Sequence, residues 1–233
     1  MVVLSRRNLE CLSRRILSDY LTQQENRLEC IDPGDFADKM CGIRFEFIRM
    51  ELASNVLGLT AFGDVDITIP CENAPPRTIH LDGKTAFISQ ELVESGQVGR
   101  VNFTLMHEAA HHLLDRLFPC EYSHQQPSII CRLADESCRR PITDWGEWRV
   151  NVLTSCLLLP RELVHIQMER HGLGERIRLL NRVFAPREYE CFVNMADALG
   201  VSKTALAIRL DQLGLIDRND FHNPYALVDI FAD

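Results

Sequence analysis

The sequence has no long apolar run. Nowhere in its 233 residues is there a stretch approaching the ~20 apolar residues that cross a bilayer. The longest candidate, VLTSCLLLP, is short and ends in proline. The first residues, MVVLSRRNLE, hold too short an apolar stretch for a secretory signal. Positive charge is not in excess: 25 Lys and Arg stand against 33 Asp and Glu, a formal net charge of -8. That balance argues against a dedicated nucleic-acid binder, although a local basic patch can survive within it. There is no internal repeat and no low-complexity tract. The nine cysteines are an odd number. Without a signal or a span, they are expected to be mostly reduced thiols of a cytoplasmic protein that contacts no membrane.

What is present is ordinary globular composition, 46% hydrophobic and 25% charged, in a chain long enough for one large domain or two small ones. Residues 5 to 28 carry a helical apolar face of Leu9, Leu12, Ile16, Tyr20 and Leu21. Asp32-Pro33 signals a helix start, and Gly42 its end. Residues 43 to 50 alternate as a strand, with further strand-like pieces at 56–69, 77–82 and 85–89. In IHLDGKTAFIS, Asp82-Gly83 predicts a hairpin between the last two. A short helix at 90–95 leads into a longer one. Residues 119 to 144 hold three prolines, three cysteines and no clear period, and read as a long loop or insertion. Helices are predicted at 145–159, 161–170, 175–183, 187–199 and 202–213.

The chemistry is concentrated in FTLMHEAAHHLLD, Phe103 to Asp115. His107 and His111 are four residues apart, so on a helix they aim their imidazoles at one point. This is the H-E-x-x-H arrangement, in which two histidines bind zinc and the glutamate is a general base. Glu108 is rotated about 100° from His107, beside a metal-bound water and outside the ligand set. On the order of 0.02 matches are expected by chance in a chain of this composition, so incidental polar residues explain the motif poorly. Met106, Ala110, Leu113 and Leu117 supply an apolar stripe that can bury the helix.

Catalytic zinc needs a third protein ligand. Leu114 and Leu117 stand where the metzincin pattern requires glycine and histidine, which excludes that class. Asp115 is the nearest acid, but a straight helix carries its short side chain away. Glu147, in WGEWRVNVLTSCLLLP, is the better candidate, on an amphipathic helix able to pack against the first. It has a competing role: with Asp144 as N-cap, it would be the reciprocal partner of a capping box.

RVNFTLMHEAAHHLL followed by GEWRVNVLTSCLLLPRELV resembles the ImmA/IrrE metallopeptidase family. Arg100, Phe103, Thr104, His107, Glu108 and His111 match its first block; Glu147, Asn151, Leu157, Leu158 and Pro160 match its second. Val150, Leu153 and Thr154 replace alanine, phenylalanine and alanine of the family pattern. LGVSKTALAIRLDQLGLI is similar to the family's closing helical segment, and the resemblance covers most of 30 to 216. It implies that Glu147 is the third zinc ligand. It also implies an α+β fold with a zincin-like core and a small, mostly antiparallel sheet. The implied activity is cleavage of a helix-turn-helix repressor, which switches mobile-element or stress genes.

The expected organisation is a peptidase core over 1–183, with a cysteine-rich insertion at 119–144, and a helix-turn-helix-like segment over 184–233. In that segment Ser202 is a good N-cap, but Lys203 and Arg209 are offset by Asp211, so nucleic acid is not the expected partner. The rival reading is a non-catalytic adaptor that binds protein or DNA through this segment, with an inactive or structural zinc. The intact Glu108 opposes it. Cys120, His124, Cys131 and Cys138 are candidates for a second, structural zinc, although their spacing is not that of a zinc finger. His112 is a candidate for a role behind the ligands or at the oxyanion, with a plain surface or packed histidine the favoured reading; Tyr122, His124, His165 and Tyr189 are candidate proton donors, and Trp145 and Trp148 are expected to pack the second ligand helix.

Overall fold

The computed structural model describes residues 4–23, 29–49, 56–69, 75–119, 128–132 and 145–225, without the side chains of 69, 77 and 128–132. The chain forms two compact units, Met1–Arg27 with Ile31–Leu158, and Leu28–Cys30 with Leu159–Asp233. The division falls ahead of the 183/184 boundary expected from the sequence, because a strand at Ile177–Leu180 pairs with one at Ile216–Asn219.

In the first unit, α1 (Arg6–Leu21) starts at Ser5, whose side chain accepts from the Asn8 N–H at 3.3 Å. It buries Leu9, Ile16, Leu17 and Tyr20. α2 (Pro33–Cys41) begins as the sequence predicts. The Asp32 carboxylate accepts from the N–H groups of Gly34 and Asp35, Pro33 fills the first turn, and Gly42 closes the helix at φ 68°. Tyr20 ties the two helices together, edge-on to Phe36 at 5.2 Å, with its hydroxyl donating to Asp35 at 2.7 Å.

Five strands follow: β1 (Arg44–Ile48), β2 (Val56–Ala61), β3 (Asp64–Ile69), β4 (Arg77–Asp82) and β5 (Thr85–Ser89). After them come α3 (Gln90–Glu94), α4 (Val98–Leu117), β6 (Ser128–Arg132) and α5 (Trp145–Leu158). The fold is a mixture of helices and small sheets, compatible with α+β. The four-stranded sheet has the order β1-β5-β2-β6, and only its β1–β5 pair is parallel. The sheet is therefore mixed. The long segment between β1 and β5 provides the crossover that a parallel pair needs.

The hairpin expected at Asp82-Gly83 does not form. The turn is there, with Gly83 at φ 69° and the Asp82 carboxylate accepting from Lys84 N and Thr85 N. Yet β4 pairs with β3, while β5 pairs with β1 and β2, so the turn joins two sheets. Turn chemistry fixes a local reversal; the choice of edge belongs to tertiary packing. Within 119–144, read as loop, β6 pairs antiparallel with β2.

β2 carries a bulge. Its register passes from Val56↔Arg132 to Gly58↔Cys131, which leaves Leu57 as the extra residue. Val56, Leu59 and Ala61 pack with Leu81 and the β3–β4 side chains Val65, Ile67 and Ile79. Leu57 instead packs with Ile88, Leu92 and Leu105, the last on α4. The bulge thus places Leu57 on the α4 side of the strand, the side that Gly58 and Thr60 take by ordinary alternation.

In the second unit are α6 (Arg161–Arg170), β7 (Ile177–Leu180), α7 (Pro186–Ala198), α8 (Lys203–Gln212) and β8 (Ile216–Asn219). The helix expected at 175–183 is replaced by β7, which runs parallel to β8. Gly172 and Gly174, at φ 72° and 64°, end the preceding helical path, and cross-strand pairing then outweighs local propensity. α7 and α8 bend by 104°, within the helix-turn-helix range, around Gly200. Ser202 caps α8 by accepting from Ala205 N at 3.1 Å. Among the described residues, no single helix is long and apolar enough to cross a membrane.

Candidate metal centre

α4 is held from three directions within its unit, by α2, by α5 and by β2. It buries Met106, Ala109, Ala110, Leu113 and Leu114, and with them the polar Thr104, His107, Glu108 and His111. Helical geometry sorts the last three: 107 and 111 share one face, while 108 and 112 share the neighbouring one.

The first face meets Glu147, in the first turn of α5. His107 Nε2 lies 3.3 Å from Glu147 Oε2, His111 Nε2 lies 3.4 Å from Oε1, and the two Nε2 atoms are 3.0 Å apart. These three residues can hold a metal ion. Two donors each ~2.05 Å from one tetrahedral centre stand about 3.3 Å apart, so the spacing suits a small cation with N and O ligands. Burial pushes the His111 imidazole well below its ordinary pKa, and His107 and His112 add to the effect. Its contact with Glu147 is therefore not an ion pair: a neutral ring presents a lone pair, as a metal requires. The two imidazoles are buried, whereas the Glu147 side chain is 39% exposed, so the site opens on the α5 side. Both Glu147 oxygens approach imidazoles. Asp144, its partner in the capping alternative, lies outside the described residues.

The second face meets β2. Glu108 is fully buried, and among the described residues neither carboxylate oxygen has a hydrogen-bond partner. Burial pushes its carboxyl well above the usual carboxylate range, and the Glu147 carboxylate raises it further. Leaving an ionised carboxylate in such a place costs several kcal/mol, roughly, so the group needs a proton or an incoming partner. His107 Nδ1 is also buried without a partner among the described residues. One turn beyond Glu108, His112 Nε2 and Thr60 Oγ1 are 2.6 Å apart, and Phe62 packs edge-on to the same ring at 5.4 Å. His112 is a packed histidine that pins α4 to β2. Burial lowers its pKa to about 4, and the Arg116 charge works in the same direction.

The structure thus brings together His107, His111 and Glu147, with Glu108 beside them. Cys120, His124, Cys138 and Tyr122 lie outside the described residues; Cys131 falls on β6, where only the backbone is described. His165 and Tyr189 belong to the second unit. Trp148 stacks edge-on to Trp145 at 5.8 Å, but Trp145 is 60% exposed and packs the helix less than expected. Of the other cysteines, Cys156 is buried while Cys11 is exposed. Sequence reasoning passed over Gly58 and Thr60. The available signal was a glycine inside a strand pattern, which marks a bulge or a close approach. No family model matches the chain, and no curated protein matches it.

Proposed function

We propose that this protein is a zinc-dependent endopeptidase of the His2Glu type, with a zincin-like core, acting in the cytoplasm as an ImmA/IrrE-like enzyme. One observation carries the reading. Two buried imidazoles and a half-exposed carboxylate converge on one point, and a buried acid without a partner among the described residues stands on the adjoining helix face. A metal held only for structure has no use for that acid.

His107, His111 and Glu147 would hold the ion; two neutral rings and one carboxylate leave a divalent cation with net charge +1. When bound, zinc supplies Lewis-acid polarisation and a water of lowered pKa. Glu108 takes a proton from the attacking water and returns it to the leaving amine, so water is added across the peptide bond. The open side at Glu147 admits the substrate.

The proposed substrate is a helix-turn-helix repressor, cut at few bonds, which releases mobile-element or stress genes. The α7–α8 pair favours protein over nucleic acid as partner. Arg209 is fully buried, and Lys203 is the lone cation left exposed on α8.

The test has two arms. Protein purified without added metal should carry zinc at the site, and the zinc-loaded enzyme should cleave the repressor encoded nearest to it while leaving casein nearly intact. Broad casein digestion with the repressor whole would reduce the reading to a general peptidase.

A further inference from the structure

We propose that Gly58 is a positioning residue for Glu108: the missing side chain at 58 is the seat in which the Glu108 carboxylate lies. The role of that carboxylate rests on the peptidase reading; the seat itself rests on packing. A Cβ built at Gly58 would overlap Glu108 Oε1, and would lie 3.1 Å from its Cδ and 3.3 Å from Thr104 Cγ2. Thr104 has no easy retreat, because its hydroxyl donates to Arg100 O at 3.0 Å. Glu108 would have to give way. With the carboxylate fully buried, giving way means leaving the place where it borders the donor set.

Two features separate this from a glycine chosen for its backbone. Gly58 is not among the glycines at positive φ, so alanine is conformationally acceptable there. Moreover, position 58 shares its strand face with Thr60 by simple alternation, and that face lies against α4. Two residues on, the contact between Thr60 and His112 holds the same strand against the same helix face. β2 therefore fixes α4 at His112 and leaves room for the acid at Glu108. At position 58 glycine is the residue that leaves that room.

The test is a cycle of Gly58→Ala, Glu108→Ala and the double variant in the full chain, each metal-free and zinc-loaded. Gly58→Ala should bind zinc at the wild-type ratio, because the ligands leave α4 by the other face. Its turnover of the repressor should fall about tenfold to a hundredfold, with KM changed less. Its thermal midpoint should fall by about 3 °C or more. On the Glu108→Ala background the same substitution should shift the midpoint by less than about 1 °C, since the added methyl then meets vacated space. Equal losses in both backgrounds, or wild-type turnover in Gly58→Ala, would overturn the proposal. Should Gly58→Ala fail to fold, the double variant decides: recovered folding supports the seat, and continued failure overturns it. A wild-type protein that binds zinc and cleaves no repressor would end the peptidase reading, while the thermal cycle would still decide Gly58.

Discussion

In α8, Arg209 is fully buried, and its Nε donates to Leu159 O at 2.9 Å. Elsewhere in the same unit, the buried Asn181 donates to Pro224 O and accepts from Val183 N and Phe184 N. In α4, Glu108 is as deeply buried, yet neither of its oxygens has a partner among the described residues. Burial is equal and satisfaction is not. Structural polar groups are normally paired, because an orphan costs stability and offers nothing in return. On the peptidase reading, an acid without a partner among the described residues, one residue from a convergent pair of imidazoles, would meet its partner when water and substrate arrive. The contrast separates a structural use of buried charge from a chemical one.

The largest expected effect tests the chemical side. Glu108→Gln should keep its zinc and lose about 10²- to 10⁴-fold in turnover, the range of general acid–base catalysis. Its stability should barely change, because one unpartnered polar group replaces another. Wild-type turnover would remove the assignment of Glu108 as base. Next is Glu147→Gln, which should weaken zinc binding by about tenfold or more, since a neutral amide is a poorer ligand than a carboxylate. Competition with a chromophoric chelator measures it. Unchanged affinity would return Glu147 to helix capping, which glutamine can also perform.

The structural side is tested by Arg209→Met, which keeps the aliphatic stem and removes the donor to Leu159 O. Urea unfolding should show a loss of about 1–3 kcal/mol, the cost of a buried carbonyl left unsatisfied. Zinc affinity should be untouched. A neutral outcome would mean that Arg209 is not the structural counterpart that the contrast requires.

Much of this was legible in the sequence. At His107, Glu108 and His111 helical period and ligand chemistry coincide, so one pattern reports both. At Glu147 the spacing admitted a second role in capping, and the 3.3 and 3.4 Å approaches to the imidazoles are what bring its carboxylate to them. Other features depend on long-range pairing that no local signal records. Asp82-Gly83 announces a turn, but β5 finds its partners in β1 and β2. Residues 177–180 form a strand because 216–219 lies beside them. Arg209 was counted among the charges of the helix-turn-helix-like segment, and it is buried. The Gly58 seat depends on β2 lying against α4, a long-range approach that periodicity does not register.

The smallest effect concerns the helix that supports α4 from behind. Cys41, at the end of α2, donates through its thiol to Ala109 O on α4 at 3.6 Å. Burial pushes that thiol up to about 12, against the opposing influence of the Arg116 charge. Thiolate is the reactive form, and at pH 8 only about 10⁻⁴ of Cys41 would carry it. Iodoacetamide should therefore label the exposed Cys11 well before Cys41, as peptide mapping over time would show. The same shift sets a pH dependence. The unfolded thiol releases its proton near 9 and the folded one near 12, so between them the unfolded chain binds fewer protons. Stability conferred by this group is then complete below pH 9 and is lost as pH rises toward 12. Labelling of Cys41 as fast as Cys11 at pH 8 would mean that α2 lifts from α4 in solution. A site whose helix moved in that way would not hold Glu108 at a fixed distance from its neighbours, and the contrast with α8 would then reflect mobility instead of chemistry.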